Sequence, residues 1–195
     1  MQCATHRDIV FSLPNNHTMT LLKNIADVAP YAKAWRTTTD INDNWKRVSD
    51  LDFKEDQWAP YSKPGHFIDP DMLVVGYVGW RNTPRPPKLT MDEQYAHISL
   101  WSLLSAPLLL GCDLDKLDDF TLNLLNNDEV LAIDQDELGK QARQVYAKDS
   151  LDVYRKSLAY GSIAVGLFNR SQAKATVKVT WEQLGLQGKQ TVRDV

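Results

Sequence analysis

The stretch AKAWRTTTDINDNWKRV, Ala32 to Val48, changes its periodicity in the middle. Trp35 to Thr39 is aromatic and β-branched, the composition of a strand. From Ile41 onward the apolar residues Ile41, Trp45, Val48 and Leu51 return at helical spacing. A strand that gives way to a helix is the βα unit of a parallel sheet. Arg36 and Asp40 stand at the junction, and both are too polar for a core.

Working outward, the same alternation repeats. Arg7–Leu13 reads as a buried strand ended by Pro14-Asn15-Asn16, and MTLLKNIADVA after it reads as a helix. HFIDPDMLVVG is a further strand, with Pro70 suited to an edge or a strand end. A Pro-rich loop, NTPRPPKL, precedes Thr90 and Glu93, which form a capping box for a helix through about Ser105. LLLGCDL reads as a fourth buried strand and DDFTLNLLNN as another helix. Four strand–helix alternations predict an α/β fold. After about residue 139 the pattern becomes strict alternation, with Ile163, Val165 and Leu167 on one face and Ala175, Val177, Val179 and Trp181 on another. That predicts an antiparallel all-β domain with one face buried. The division is placed at 1–138 and 139–195.

With 43% hydrophobic and 24% charged residues, the chain has an ordinary globular composition. A net charge of −3 gives no reason to expect nucleic acid or an anionic membrane as partner. The longest apolar run, around Ile98–Gly111, is broken by Ser and Pro and is too short to span a bilayer. Cys3 and Cys112 show no metal-ligand spacing, and two unpaired thiols are expected before a disulfide. MQCATHRDIVFSL enters a strand at once, so no signal peptide is expected in this sequence.

The polar residues fall at the C-terminal ends of the expected strands. Asn15 and Asn16 follow the first, Asp40 the second, Asp69 and Asp71 the third, and Asp113 the fourth. That face is where parallel α/β folds build their sites. Taken singly, each residue has a plainer role. Asp40 or Asp113 would cap a helix, Asp-Pro-Asp would make a turn, and Trp35, Trp45 and Trp101 would sit in the core. Together on one rim, they suit a small polyhydroxylated ligand.

WRTTTDINDNW, DPDMLVVG, LWSLLSAPLLLGCDL and VLAIDQDELGKQ closely resemble the ordered motifs of the α-galactosidases, family 27 of the glycoside hydrolases. The resemblance implies a (β/α)8 TIM barrel followed by an antiparallel β-domain. This chain would hold barrel strands five to eight and a β-domain incomplete at its C-terminus. It implies hydrolysis of terminal α-galactosides with retention, and retention uses two carboxyl groups ~5–5.5 Å apart. Asp40 matches the general acid/base and Arg36 an arginine near the sugar. Asp71 and Met72 match residues lining the galactose pocket, Asp69 is the preceding Asp of that motif, and Trp35 is taken as substrate-binding. As acid, Asp40 would need a pKa moved from ~3.9 toward ~6. No metal or cofactor is implied.

The departures also carry expectations. Leu13-Pro14-Asn15 stands where animal members have Cys-Glu-Trp, and HFIDPDM replaces Gly-Trp-Asn-Asp-Pro-Asp-Met. The choice among galactose, N-acetylgalactosamine and β-L-arabinopyranose is therefore open. The family's nucleophile is an Asp in a Lys-Tyr-Asp or Lys-Ile-Asp strand end, and no such motif occurs here. The chain is accordingly expected to be a fragment, inactive alone and prone to self-association through exposed barrel edges. The full-length enzyme would be secreted or periplasmic in preference to cytoplasmic. The rivals are a non-catalytic carbohydrate-binding remnant and a purely structural half-barrel.

Overall fold

A computed structural model of the protein describes residues 6–14, 18–79 and 83–195. Cys3, Asn15 and Asn16 lie outside these residues. Cys112 is a free, half-buried thiol.

The first part is a parallel three-stranded sheet in sequence order: β1 (Ser12–Leu13), β2 (Ala34–Arg36) and β3 (Phe67–Asp69). Register pairs Leu13 with Trp35, and Arg36 with Asp69. Helix α1 (Thr18–Val28) connects β1 to β2, and α2 (Trp45–Asp52) with a 3-10 turn at Glu55–Trp58 connects β2 to β3. Three further helices follow: α3 (Met91–Leu104), α4 (Asp119–Leu125) and α5 (Asp128–Asp134). Both halves of the expected capping box are made at α3, Glu93 N to Thr90 Oγ1 and Thr90 N to the Glu93 carboxylate. The second part is an antiparallel meander of β4 (Arg143–Lys148), β5 (Leu151–Ser157) and β6 (Ile163–Asn169). Asp149 and Ser150, both at positive φ, turn β4 into β5. Among the described residues no helix is long and apolar enough to cross a membrane.

Several expectations are corrected. The first strand pairs only at Ser12 and Leu13, while Val10 and Phe11 stand exposed. Only β2 lies beside it among the described residues. LLLGCDL forms no strand. It contributes single bridges, Leu110 to Leu73 and Cys112 to Val78, with Leu109 and Leu110 exposed. Its expected partner strand ends at Pro70, which has no N–H, and Asp71 then turns through a positive φ. The helix after Asp40 starts later than its apolar spacing suggests. Asn44 is the N-cap, accepting from Arg47 N, so Asp40 is free of capping duty.

In β6 the buried face is the opposite of the one expected. Ala164 and Phe168 point inward while Val165 and Leu167 are exposed. Phe168 packs edge-on to Phe53 and Tyr154, at 5.2 and 5.8 Å between ring centroids. Ala175–Trp181 alternates in sequence but pairs with no strand among the described residues and is largely exposed. Strands β4 and β5 carry no apolar alternation to announce them. The inward positions of β5 hold Asp152, Tyr154 and Lys156, all fully buried, and two of the three are charged.

The two parts share one seam. Tyr154 OH donates to Phe53 O at 3.0 Å, and Gln141 Nε2 to Glu55 O at 2.9 Å. Lys156 Nζ donates to Ser102 O at 3.0 Å and Ser105 Oγ at 2.6 Å, at the C-terminal end of α3. Cations are favoured there by the unpaired carbonyls of the last turn.

Candidate active site

Parallel pairing of β2 with β3 sets Arg36 directly beside Asp69 at the C-terminal edge of the sheet. The chains leaving both strands then meet. Arg36 Nη2 binds Asp71 Oδ2 and also lies 3.3 Å from Asp40 Oδ1. One guanidinium thus joins carboxylates from two neighbouring rim loops. Charge-assisted contacts of this kind are the stronger hydrogen bonds.

Asp71 is the fixed point. Its Oδ2 also accepts from Ile41 N at 3.0 Å, and its Oδ1 from Met72 N at 2.8 Å. Trp101 Nε1 donates to its carbonyl at 2.9 Å, and its own N–H donates to Asp69 Oδ1 at 3.0 Å. Its φ of 95° is costly for a residue with a Cβ, and these bonds hold it there. Asp69 is partly buried behind it, and that burial pushes its carboxyl pKa up. Met72 is 42% exposed on the rim. A Cβ on Gly111 would come 2.5 Å from Met72 Sδ, so glycine at 111 leaves room for that side chain.

Asp40 is the exposed member, its side chain 89% accessible. Arg47 holds the loop at this point: its Nε and Nη2 donate to Asp40 O at 3.1 and 2.9 Å, and Nη2 to Thr39 Oγ1 at 2.7 Å. Sequence reasoning overlooked Arg47, because a charged residue one turn into a helix reads as solvated surface. It likewise missed Arg85, whose two nitrogens grip the buried Asp43.

Trp35 is corrected. It is 0% exposed in the core, 6.2 Å from the His66 ring, and cannot touch a ligand on the rim. Neighbouring side chains of a strand point to opposite faces, so Arg36 on the rim consigns Trp35 to the core. Trp101 is also core, and Trp45 Nε1 donates to Arg170 O at the seam. Asp113 has the plainer role, accepting from Asp115 N in a short 3-10 turn. Among the described residues no group of three His, Cys, Asp or Glu could hold a metal ion.

Asp52 and Glu55 lie beneath the site, at 0% and 2% exposure. Burial, reinforced by the charges of Glu55 and Asp71, raises Asp52 well above the usual carboxylate range, and burial pushes Glu55 up to about 8. Between the unfolded value near ~4.3 and about 8, the folded state keeps a Glu55 proton that the unfolded chain has released. Stability therefore falls as pH rises through that window and levels off above it. From pH 6 to 7 the loss from Glu55 is on the order of 1 kcal/mol. Glu55→Gln should remove one group's worth of that slope in denaturation at the two pH values. An unchanged slope would show that Glu55 does not carry the proton.

The sequence profile described as "Alpha galactosidase A" matches residues 2–136, and that described as "Alpha galactosidase C-terminal beta sandwich domain" matches residues 148–195. Alpha-galactosidase 2 of Arabidopsis thaliana is 42% identical over 153 residues, covering 78% of this chain and 36% of that protein. The alpha-galactosidase of Cyamopsis tetragonoloba is 43% identical over 159 residues, 82% of this chain and 36% of that protein. The chain thus spans little more than a third of the length of these relatives. Among solved structures, a GH27 β-L-arabinopyranosidase from Geobacillus stearothermophilus superposes with a TM-score of 0.83 at 34% identity, over 92% of this chain and 41% of that one.

Proposed function

The chain belongs to the α-galactosidase family, family 27 of the glycoside hydrolases, with a part of its TIM barrel and a part of its β-domain, and we propose that it carries the acid/base side of a retaining α-galactosidase site. The observation behind this is the junction at Arg36, where one guanidinium joins Asp40 and Asp71 across two adjacent strand ends.

Asp40 gives its proton to the glycosidic oxygen as the bond to the leaving group breaks. In the second step it takes a proton from the water that attacks the glycosyl-enzyme. Arg36 holds the Asp40 carboxylate in place and presents its remaining N–H groups to sugar hydroxyls. Asp71 is braced by Ile41 N and Met72 N and, with Met72 and Asp69, lines the galactose side. The nucleophile is not among these residues. The substrates are α-galactoside saccharides, and the barrel part is taken as 1–138 with the β-part as 139–195.

A second specificity is favoured by one finding: the solved relative with a TM-score of 0.83 is a β-L-arabinopyranosidase. That sugar has the ring stereochemistry of galactose without its sixth carbon. The test joins this chain to a barrel half that bears the nucleophile and compares p-nitrophenyl α-galactoside, α-N-acetylgalactosaminide and β-L-arabinopyranoside. The α-galactoside should have the highest kcat/KM. A preference for the arabinoside would select the second specificity, and turnover of none would leave a sugar-binding remnant.

By itself the 195-residue chain should be inactive and should sediment above its monomer mass. Proton donation alone contributes only ~10²–10⁴-fold. The exposed Val10, Phe11, Leu109 and Leu110 lie along the two sides of the open sheet, and unpaired edges invite association. A monomer that forms a galactosyl adduct would overturn both expectations.

A further inference from the structure

Between Asp71 and Gly76 the chain is held from two sides. Leu73 commits both of its backbone groups to the next segment, its N–H donating to Leu109 O at 2.7 Å and its carbonyl accepting from Gly111 N at 2.9 Å. On the other side the partners are side chains of α3. Trp101 Nε1 donates to Asp71 O at 2.9 Å, Val74 N donates to His97 Nε2 at 3.1 Å, and Gly76 N donates to Gln94 Oε1 at 2.9 Å. Gln94, His97 and Trp101 stand three and four residues apart, so they form one stripe of the helix. That stripe runs antiparallel to the segment it grips. All three residues are buried, and buried polar groups are costly unless they are paired. Packing does not require them, because Ile98, Leu100, Leu103 and Leu104 of the same helix are buried too.

His97 serves two contacts at once. Burial pushes its pKa down to about 3, so the ring is neutral at neutral and mildly acidic pH. Nε2 keeps its lone pair for Val74 N, and the ring proton belongs on Nδ1. The ring also meets Trp101 edge-on, with centroids 4.0 Å apart and planes at 74°, which fixes the indole. The indole in turn holds a residue at a φ of 95°, a backbone region that a side chain with a Cβ rarely adopts. The carboxylate of that residue, Asp71, binds Arg36 and accepts from Ile41 N at 3.0 Å. A shift of the Asp71 backbone moves both contacts, and Ile41 adjoins Asp40.

We infer that Trp101 and His97 are positioning residues of the candidate site, setting the Asp71 backbone from the buried side and, through the Asp71 carboxylate, the loop that bears Asp40, an inference whose kinetic part rests on the α-galactosidase reading above. Hydrogen exchange at residue resolution tests the positional part on the 195-residue chain. Trp101→Phe keeps an aromatic ring and removes the N–H. Exchange at Ile41 and Met72, whose amides bind the Asp71 carboxylate, should quicken about threefold to tenfold, the loss of one hydrogen bond. The amides of β5 should keep their rates. His97→Leu should quicken Val74 by a similar factor, and Ile41 with it. His97→Gln keeps an acceptor and should recover most of the Val74 protection. Should Trp101→Phe fail to fold, the two His97 variants make the same test. An unmoved Ile41 overturns the inference. So does equal quickening of all amides, which would make the pair a support of the whole fold and nothing more.

In the completed enzyme Asp71 lies on the glycone side, so Trp101→Phe and His97→Leu should raise KM for p-nitrophenyl α-galactoside about threefold to tenfold, with kcat within about twofold. Loss of folded protein lowers the active concentration instead, so kcat falls and KM stays. That pattern overturns the inference and leaves the α-galactosidase reading standing. If the loop amides respond as expected but the completed wild type hydrolyses no glycoside, the α-galactosidase reading fails and takes the kinetic part with it.

Discussion

In the chain completed by a nucleophile-bearing barrel half, Asp40→Asn is expected to lower kcat/KM for a disaccharide substrate by ~10²–10⁴-fold. A sugar alkoxide is a poor leaving group and needs a proton as the bond breaks. A dinitrophenolate leaves without one, so for that substrate the first step should be nearly spared. The second step should still be slow, because the amide cannot take a proton from water, and the glycosyl-enzyme should accumulate. Azide needs no base. Its addition should restore turnover and yield an α-galactosyl azide. The structure makes the variant a clean one. The Asp40 side chain is exposed and, among the described residues, its ion pair is with Arg36 alone, while the cap of α2 is Asn44. The fold should therefore change by no more than ~0.5 kcal/mol. Equal loss on both substrates without azide rescue would remove Asp40 from the acid/base role.

How much of this was legible beforehand follows from what each residue answers to. The parallel βα order could be read because apolar periodicity and turn residues record it, and so could the placing of Arg36, Asp40, Asp69 and Asp71 at strand ends. The face of β6 was misread because sequence cannot say which of two apolar rows meets Phe53 and Tyr154. Strand β5 was invisible because its inward positions hold Asp152 and Lys156, which are buried only because Arg170, Gln144, Ser102 and Ser105 receive them. Such partners lie 8 to 54 residues away, beyond any local pattern. Trp35 was assigned to the ligand because it was counted with Arg36 and the aspartates on one rim. In a strand, adjacency means opposite faces. Arg47 was missed because a charge on a helix looks the same whether it faces solvent or fixes a neighbouring loop.

Arg170→Ala should cost about 3–5 kcal/mol of stability, because it strands a buried charge. The Asp152 side chain is 1% exposed, and Arg170 Nε lies 2.6 Å from its Oδ2. Gln144 Nε2 would remain on Oδ1 at 2.7 Å, a single neutral donor for a buried carboxylate. Further contacts go with the guanidinium: Nη1 to Ser49 Oγ at 2.9 Å, and the Phe53 ring 4.8 Å below it. The double change Arg170→Met/Asp152→Asn removes both charges and should recover most of the loss, as replacement of buried pairs by neutral groups does. Urea denaturation of the wild type, the single variant and the double variant measures this. A single variant within about 1 kcal/mol of wild type would mean that Asp152 finds water or another partner. The consequence reaches the candidate site. Ser49 and Trp45 both sit on α2, and both are held from the β-part, by the guanidinium and the carbonyl of Arg170. The same helix carries Arg47, which fixes the carbonyl of Asp40. Loosening the seam should therefore loosen the loop that bears the acid, and Arg170→Ala in the completed enzyme should lower kcat/KM under conditions where the protein is still folded.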